Sequence, residues 1–337
     1  MIELPEDLVH KTPWDGALHP ICLSYTFSLR RNISPFCFPM RMDALQLEQC
    51  MQVMCQVLCE HKEHLFLPAE LVNPVDKELL CVYFLCDESF QNAFKGQGFF
   101  LSGDFFARLN IQDHLHLKQR DVDLEKGYQQ LLQWETVLGA KFPFAHNASF
   151  GYLTADPRVS GTALQVAVYL HLPAISYLNK VETFSLQQNS SQMELSPLDE
   201  SGVWVMHNQY TLGLSEEDIL REVRASVLFW IALEEQTREQ LKNNLEAKDA
   251  VSRAYGVLTH AELVQTKEAL HALGLLKWGA DMGWVSGFSA PLFHQLFFGC
   301  QRPYLAKLFS VDEGSTEKLA LVRASYLRKA LSSITIL

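Results

Sequence analysis

Ser215 is followed by Glu216, Glu217 and Asp218, and from there to the last residue apolar side chains recur at helical spacing. A serine cap with acids in the first turn satisfies free backbone N–H groups and suits the positive end of the helix dipole, so a long helix is expected to begin there. Strand signals are confined to the first two-thirds of the chain. That asymmetry predicts an α+β domain over residues 1–228 and an all-helical domain over 229–337. The aromatic residues Trp278, Trp284, Phe288, Phe293, Phe297 and Phe298 read as the core of the helical part, part of which could serve as a dimer surface.

Hydrophobic residues make up 48% of the 337, enough for one large domain or two moderate ones. A net charge of −11 argues against a broad phosphate-tracking surface, so nucleic acid is not expected as a partner. The start of the chain, Met1 to Leu8, is acidic and lacks a secretory pattern. The longest strongly apolar run, Val227 to Leu233, is far shorter than the roughly 20 residues that span a bilayer. A cytoplasmic protein without membrane contact is expected. The eight cysteines form no CxxC pair and read as reduced core thiols. Cys59-Glu-His-Lys-Glu-His64 reads as a solvated helix end, since Lys62 interrupts it and no second ligand pair follows at zinc spacing.

Before Ser215 the periodicity predicts a helix between Pro39 and His64, a strand over Leu79 to Leu85 in a hairpin with Gly96 to Leu101, and a helix over 124–138 stopped by Gly139. Gly151 to Ala155 and Ala163 to Leu172 read as strands joined by a loop at 156–162. The polar stretch Gln187 to Gly202 reads as a mobile surface loop.

Seven stretches, in order, carry a family resemblance: Leu23 to Asn32, His64 to Leu71, Asn110 to His116, Phe150 to Thr162, His171 to Ala174, Asn208 to Gly213 and Lys248 to Leu258. Together they resemble the phosphagen (ATP:guanido) kinase superfamily, and within it the bacterial protein-arginine kinase branch, McsB. The resemblance implies an antiparallel sheet flanked by helices, followed by a helical domain. It also implies transfer of the γ-phosphoryl group of Mg-ATP to a guanidinium nitrogen. That reaction needs cations on the phosphates and a carboxylate that aligns the guanidinium and takes its proton.

The residues at the matching positions depart from this pattern. In the frame S-S-R-x-R the chain has Ser24-Tyr25-Thr26-Phe27-Ser28, so Thr26 and Ser28 replace the arginines. Arg31 matches a family arginine outside that role, and Arg30 is out of register. In N-E-E-D-H-L-R the catalytic glutamate becomes Gln112 and the phosphate-binding arginine becomes His116. In C-P-T-N-x-G-T-x-x-R the cysteine becomes Asp156 and the closing arginine Gln165. No arginine falls in Gln187 to Gly202, where Glu194 is the first acid. His64, a nucleotide-contacting position, is retained.

A hydrogen bond to a charged group contributes about 1.5 to 3 kcal/mol, so losing about four arginine contacts would remove roughly 6 kcal/mol or more from ATP binding. The expected function is that of a pseudokinase that regulates or scaffolds an active arginine kinase or Clp-type protease machinery, with no cofactor. The alternative is an active protein-arginine or guanidino kinase using ATP and Mg2+ through relocated cations at Arg30, Arg108 or Arg158. A third reading is a phosphoarginine reader. The family's R-D-x-x-R-A motif appears as Lys248-Asp249-Ala250-Val251-Ser252-Arg253-Ala254, one residue longer, and Asp249 and Arg253 would also pair as a plain surface ion pair at i,i+4.

Overall fold

The computed structural model describes residues 4, 5, 8, 11–60, 63–188, 192–310 and 315–337. Among them the strands are β1 (Cys22–Arg31), β2 (Leu65–Pro68), β3 (Gly98–Ser102), β4 (Phe105–Leu109), β5 (Leu115–Asp121), β6 (His146–Asn147), β7 (Gly151–Tyr152), β8 (Leu164–His171), β9 (Met193–Pro197), β10 (Val203–Asn208), β11 (Val285–Ser286) and β12 (Thr335–Ile336). The helices are α1 (Ala44–Leu58), α2 (Pro74–Val82), α3 (Leu124–Gly139), α4 (Pro173–Tyr177), α5 (Val181–Gln188), α6 (Glu216–Leu241), α7 (Leu245–His260), α8 (Thr266–Asp281), α9 (Ala290–Gly299), α10 (Arg302–Phe309) and α11 (Thr316–Ala330).

Eight strands form one antiparallel sheet in the order β2-β3-β4-β5-β1-β8-β10-β9. Side chains alternate along a strand, so β1 sends Phe27 and Leu29 to one face and Thr26, Ser28 and Arg30 to the other. Phe27 and Leu29 join Leu115, Leu117, Leu164 and Val166 in a core closed by α3 and α6. A Cβ at Gly127 would collide with the Phe27 ring, so the glycine is what lets α3 lie this close.

On the other face, Tyr169 and Phe106 of the sheet meet Trp14 and the helical part of the chain. The Trp14 ring lies 4.5 Å from Phe297 and 4.8 Å from Phe298, and Phe84 stacks on Tyr169 at 4.8 Å. The six aromatic residues expected in the helical core are all buried. Polar contacts fasten the junction as well. Glu234 of α6, fully buried, accepts from Ala174 N at 3.0 Å and Ile175 N at 3.1 Å at the start of α4, and Arg238 bridges it to Asp281 of α8. Gly274 of α8 lies directly against the Ser201 backbone, where any side chain would clash.

Several expectations are corrected. Leu79 to Leu85 is not a strand: α2 covers most of it, because Asn73 caps the helix by accepting from Asp76 N and Pro74 supplies its first turn. A short apolar run alone does not separate buried helix from buried strand. The partners of β3 are β2 and β4 instead. Within Gln187 to Gly202, α5 ends at Gln188 and β9 forms a paired edge strand against β10. An edge strand is half solvated, which suits its polar sequence. Asn189 to Ser191 lie outside the described residues, as do His61 and Lys62 of the cysteine-histidine cluster. Strands are not wholly confined to the first two-thirds, since β11 and β12 pair near the C-terminus. Three cysteines, Cys50, Cys86 and Cys300, are buried, whereas Cys37 is exposed and the other four are intermediate. Helix α6 runs without a break through residue 228.

Candidate functional site

The loop between β4 and β5 is held by its own polar groups. Asn110 adopts a left-handed conformation (φ 56°), which asparagine tolerates better than most residues. Its amide donates to Leu47 O and Gly96 O, each at 3.0 Å. Asp113 accepts from the Asn32 side chain at 2.6 Å and from Ala155 N at 2.7 Å. The His114 Nδ1 accepts from Ile33 N at 3.0 Å, and burial lowers its pKa to about 4, so the ring is neutral. Gln112, between these anchors, is exposed and free of them.

The side chain that Gln112 does meet is Arg30. The Arg30 guanidinium donates to Gln112 Oε1 at 3.2 Å and to Gln165 Oε1 at 3.4 Å, and it lies 3.7 Å from Asp113. Out of register in the sequence, Arg30 shares a face with Thr26 and Ser28, one pleat further along β1. Arg31 points the other way, pairs with Glu135 of α3 and covers the Tyr152 ring at 3.6 Å.

Arg30, Asp156, Arg158, Gln165, Glu194 and His207 line a cleft of about 630 Å³. Arg158 is committed to Asp156 at 2.8 Å in an exposed pair, which holds the Asp156 carboxyl below its ordinary range. Ser24 and Thr26 are buried, and Ser28 Oγ donates to Gln165 O at 3.5 Å. His64 is exposed on the far side of the sheet edge, its ring parallel to Phe100 at 5.7 Å. Thus Gln165 and Asp156 line one cleft with Arg30, Gln112 meets that cleft only through its bond to Arg30, and His64 is not among the lining residues.

His116 pairs with Arg30 across β1 and β5 and with Arg108 across β5 and β4. The Arg108 guanidinium contacts His116 Nδ1 and is itself ion-paired with Asp87. A guanidinium has no acceptor, so Nδ1 accepts and Nε2 carries the ring proton. Burial and the charges of Arg108, Lys118 and Arg30 push the His116 pKa well below its ordinary value. It is therefore a neutral imidazole. Arg108 was one of the cations considered from the sequence, but Lys118 and this shared face escape residue-by-residue matching; alternation along Leu115 to Asp121 was the signal that could have found them.

In the helical part, Lys248, Asp249, Arg253 and Ala254 all lie on α7. Arg253 donates to Asp249 at 2.6 Å in an exposed i,i+4 pair, Lys248 Nζ lies 5.8 Å over the Trp284 ring, and Ala254 is buried. Among the described residues no group of three or more His, Cys, Asp or Glu is placed to hold a metal, and no helix is long and apolar enough to cross a membrane.

Residues 43–237 match the family "ATP:guanido phosphotransferase, C-terminal catalytic domain", and residues 244–336 match "Protein-arginine kinase McsB C-terminal domain". The chain belongs to the ATP:guanido phosphotransferase family, in its protein-arginine kinase branch. It is 29% identical to the protein-arginine kinase of Chlamydia pneumoniae over 98% of each chain. It is 28% identical to that of Halalkalibacterium halodurans, over 93% of this chain and 94% of the relative. The fold resembles the duplicated taurocyamine kinase of Schistosoma mansoni (TM-score 0.56, 20% identity), covering 68% of this chain and 34% of that one. A lombricine kinase also superposes with TM-score 0.56 at 17% identity, covering 65% of this chain and 68% of that one.

Proposed function

We propose that this chain is a catalytically inactive member of the protein-arginine kinase branch, a cytoplasmic pseudokinase that acts by binding partners. The observation that carries the reading is the setting of Gln112. An amide cannot take up a proton, and its oxygen already accepts from Arg30. The neighbouring acid, Asp113, is spent on Asn32 and Ala155 N, inside the loop. The matching phosphate positions do not fit a magnesium triphosphate either: Thr26, Ser28 and Gln165 carry no charge, and His116 is neutral. Arg30 and Arg158 supply cations to the cleft, but each is already engaged, Arg30 by Gln112, Gln165 and Asp113 and Arg158 by Asp156.

Its partner would be an active arginine kinase or Clp-type protease machinery, with phosphoarginine proteins read through Lys248 to Ala254 as the second mode. The experiment is incubation with labelled ATP and an arginine-rich protein. No acid-labile phosphoarginine is expected; its appearance would return the chain to the active kinases.

A further inference from the structure

The turn between β9 and β10 meets α8 so closely that a Cβ at Gly274 would collide with the Ser201 carbonyl, yet beside this contact the sheet and the helical part stand apart. The gap is a cavity of about 610 Å³. Trp204 of β10, Asp199 of the turn, Tyr177 of α4 and Glu182 of α5 line it from one side, and Ala250 of α7 and Leu275 of α8 from the other. It shares no lining residue with the cleft at Arg30. A cavity of several hundred Å³ between two structural units, with apolar walls and a few polar groups, is the usual setting of a small-molecule site.

The described lining holds three carboxylates, Glu182, Asp199 and Glu200, and no lysine or arginine. Glu200 pairs with Lys267 at 3.7 Å in an exposed contact, and its carbonyl lies 3.2 Å from His271 Nδ1 across the junction. Among the described residues Glu182 and Asp199 make no ion pair. Asp199 accepts from Ser201 N at 2.7 Å, which holds it in the turn. Burial raises its carboxyl above the ordinary value despite the bonds from Ser201, and Glu200 adds to the rise. The aromatic walls are fixed as well. Trp204 Nε1 donates to Ser176 Oγ at 2.9 Å, and the Tyr177 ring is backed by Trp278 at 5.6 Å.

Charge withdrawn from water calls for a partner, and a carboxylate beside fixed aromatic walls favours a cation that carries apolar surface of its own. A bare metal ion fits poorly, since among the described residues no group of three or more His, Cys, Asp or Glu is placed to hold one. An anion would be repelled by the carboxylates. We propose that this junction cavity binds an organic cation, an ammonium or guanidinium head on an aliphatic stem, with the head at Asp199 and Glu182 and the stem along Trp204 and Tyr177. A ligand in contact with both sides ties the helical part to the sheet. Ala250 lines the cavity but Asp249 and Arg253 do not, so the site is separate from their exposed ion pair. It is also independent of whether the chain transfers phosphate.

The test is a calorimetric titration of the intact protein with agmatine, which carries a guanidinium and an ammonium on one aliphatic stem, with sodium chloride and magnesium chloride at matched ionic strength as controls. Saturable binding is expected for agmatine and for neither salt, together with a rise in the thermal midpoint. Asp199→Asn keeps an acceptor for Ser201 N and is expected to lower the affinity at least tenfold. Its midpoint without ligand shows whether it folds. Glu182→Gln, exposed on α5, cannot disturb the core and is expected to lower the affinity several-fold. Spermidine and an arginine-containing peptide, titrated in parallel, separate a free amine from a protein side chain: the one whose binding Asp199→Asn weakens names the source. No saturable binding by any of the three cations, binding equalled by magnesium, or an affinity that neither substitution lowers, overturns the site.

Discussion

The 110–114 loop and the sheet face beside it are neighbours with opposite polar bookkeeping. In the loop, Asn110, Asp113 and His114 each bond to buried partners and the atoms left over are acceptors, Asn110 Oδ1 and Asp113 Oδ2, whereas on the face Arg30 Nε, Arg108 Nε and His116 Nε2 are donors with nothing to receive them. Asn110, Asp113 and His114 match the family pattern; on the face, Thr26, Ser28, His116 and Gln165 replace arginines. A group wired into the fold is costly to replace, while a group that faced only a ligand is free to change once that ligand is lost.

Acid attacks both regions at once and should give the largest effect. Burial lowers His114 and His294 to about 4 in the folded chain and also pushes His116 and His171 well below their ordinary value. Their pKa is depressed relative to about 6.5 in the unfolded chain, so between those values the unfolded state binds more protons. Stability therefore falls as pH drops from 6.5 to 4, by up to about 3 kcal/mol each for His114 and His294 at the limit, with His116 and His171 acting in the same direction. Denaturant midpoints measured across that window should fall steeply; a flat profile would mean that the rings are not buried neutral.

Single substitutions divide the two regions. Asp113→Ala strands Ala155 N and removes a buried charge beside Arg30, for an expected loss of about 3 kcal/mol in chemical denaturation. Gln112→Ala, one residue away and exposed, should cost less than about 0.5 kcal/mol. Equal costs would erase the distinction between wired and unwired positions.

Gln112→Glu then asks whether chemistry can be restored at the unwired position. The new carboxylate would sit against Arg30 and meet the requirement for a base, yet Thr26, Ser28 and Gln165 would still offer no charge to a triphosphate. No phosphotransfer is expected in the labelled-ATP assay. Measurable transfer by this single variant would show that nucleotide binds without the replaced arginines.

Much of this arrangement was legible in the sequence where a local signal was unambiguous. Ser215 does cap α6 through Asp218 N, and the 124–138 periodicity does give α3, although Gly139 is its last residue and Ala140 its cap. The antiparallel sheet and the helical C-terminal part followed from the family resemblance and are present. Two kinds of information were not local. Leu79 to Leu85 is apolar whether it forms helix or strand, and only the Asn73-Pro74 start decides it. Arg30 looks misplaced when counted along the chain, but a shift of two residues keeps the same face of a strand. Matching positions one by one discards that parity, and with it the link between Arg30, Gln112 and Gln165.

The smallest stability effect is expected at Arg253. Its pair with Asp249 is exposed and solvent-screened, so Arg253→Ala should leave the melting midpoint within error of wild type. A guanidinium already paired in water can exchange its carboxylate for a phosphoryl group at little cost, and Lys248 beside the Trp284 ring could add a second charge. If this segment reads phosphoarginine, the unchanged midpoint should be accompanied by loss of phosphoarginine binding in calorimetry. Lys118→Gln, on the sheet face, should leave that binding intact. Phosphoarginine binding that survives Arg253→Ala and fails in Lys118→Gln would move the reader function from the helical domain to the sheet.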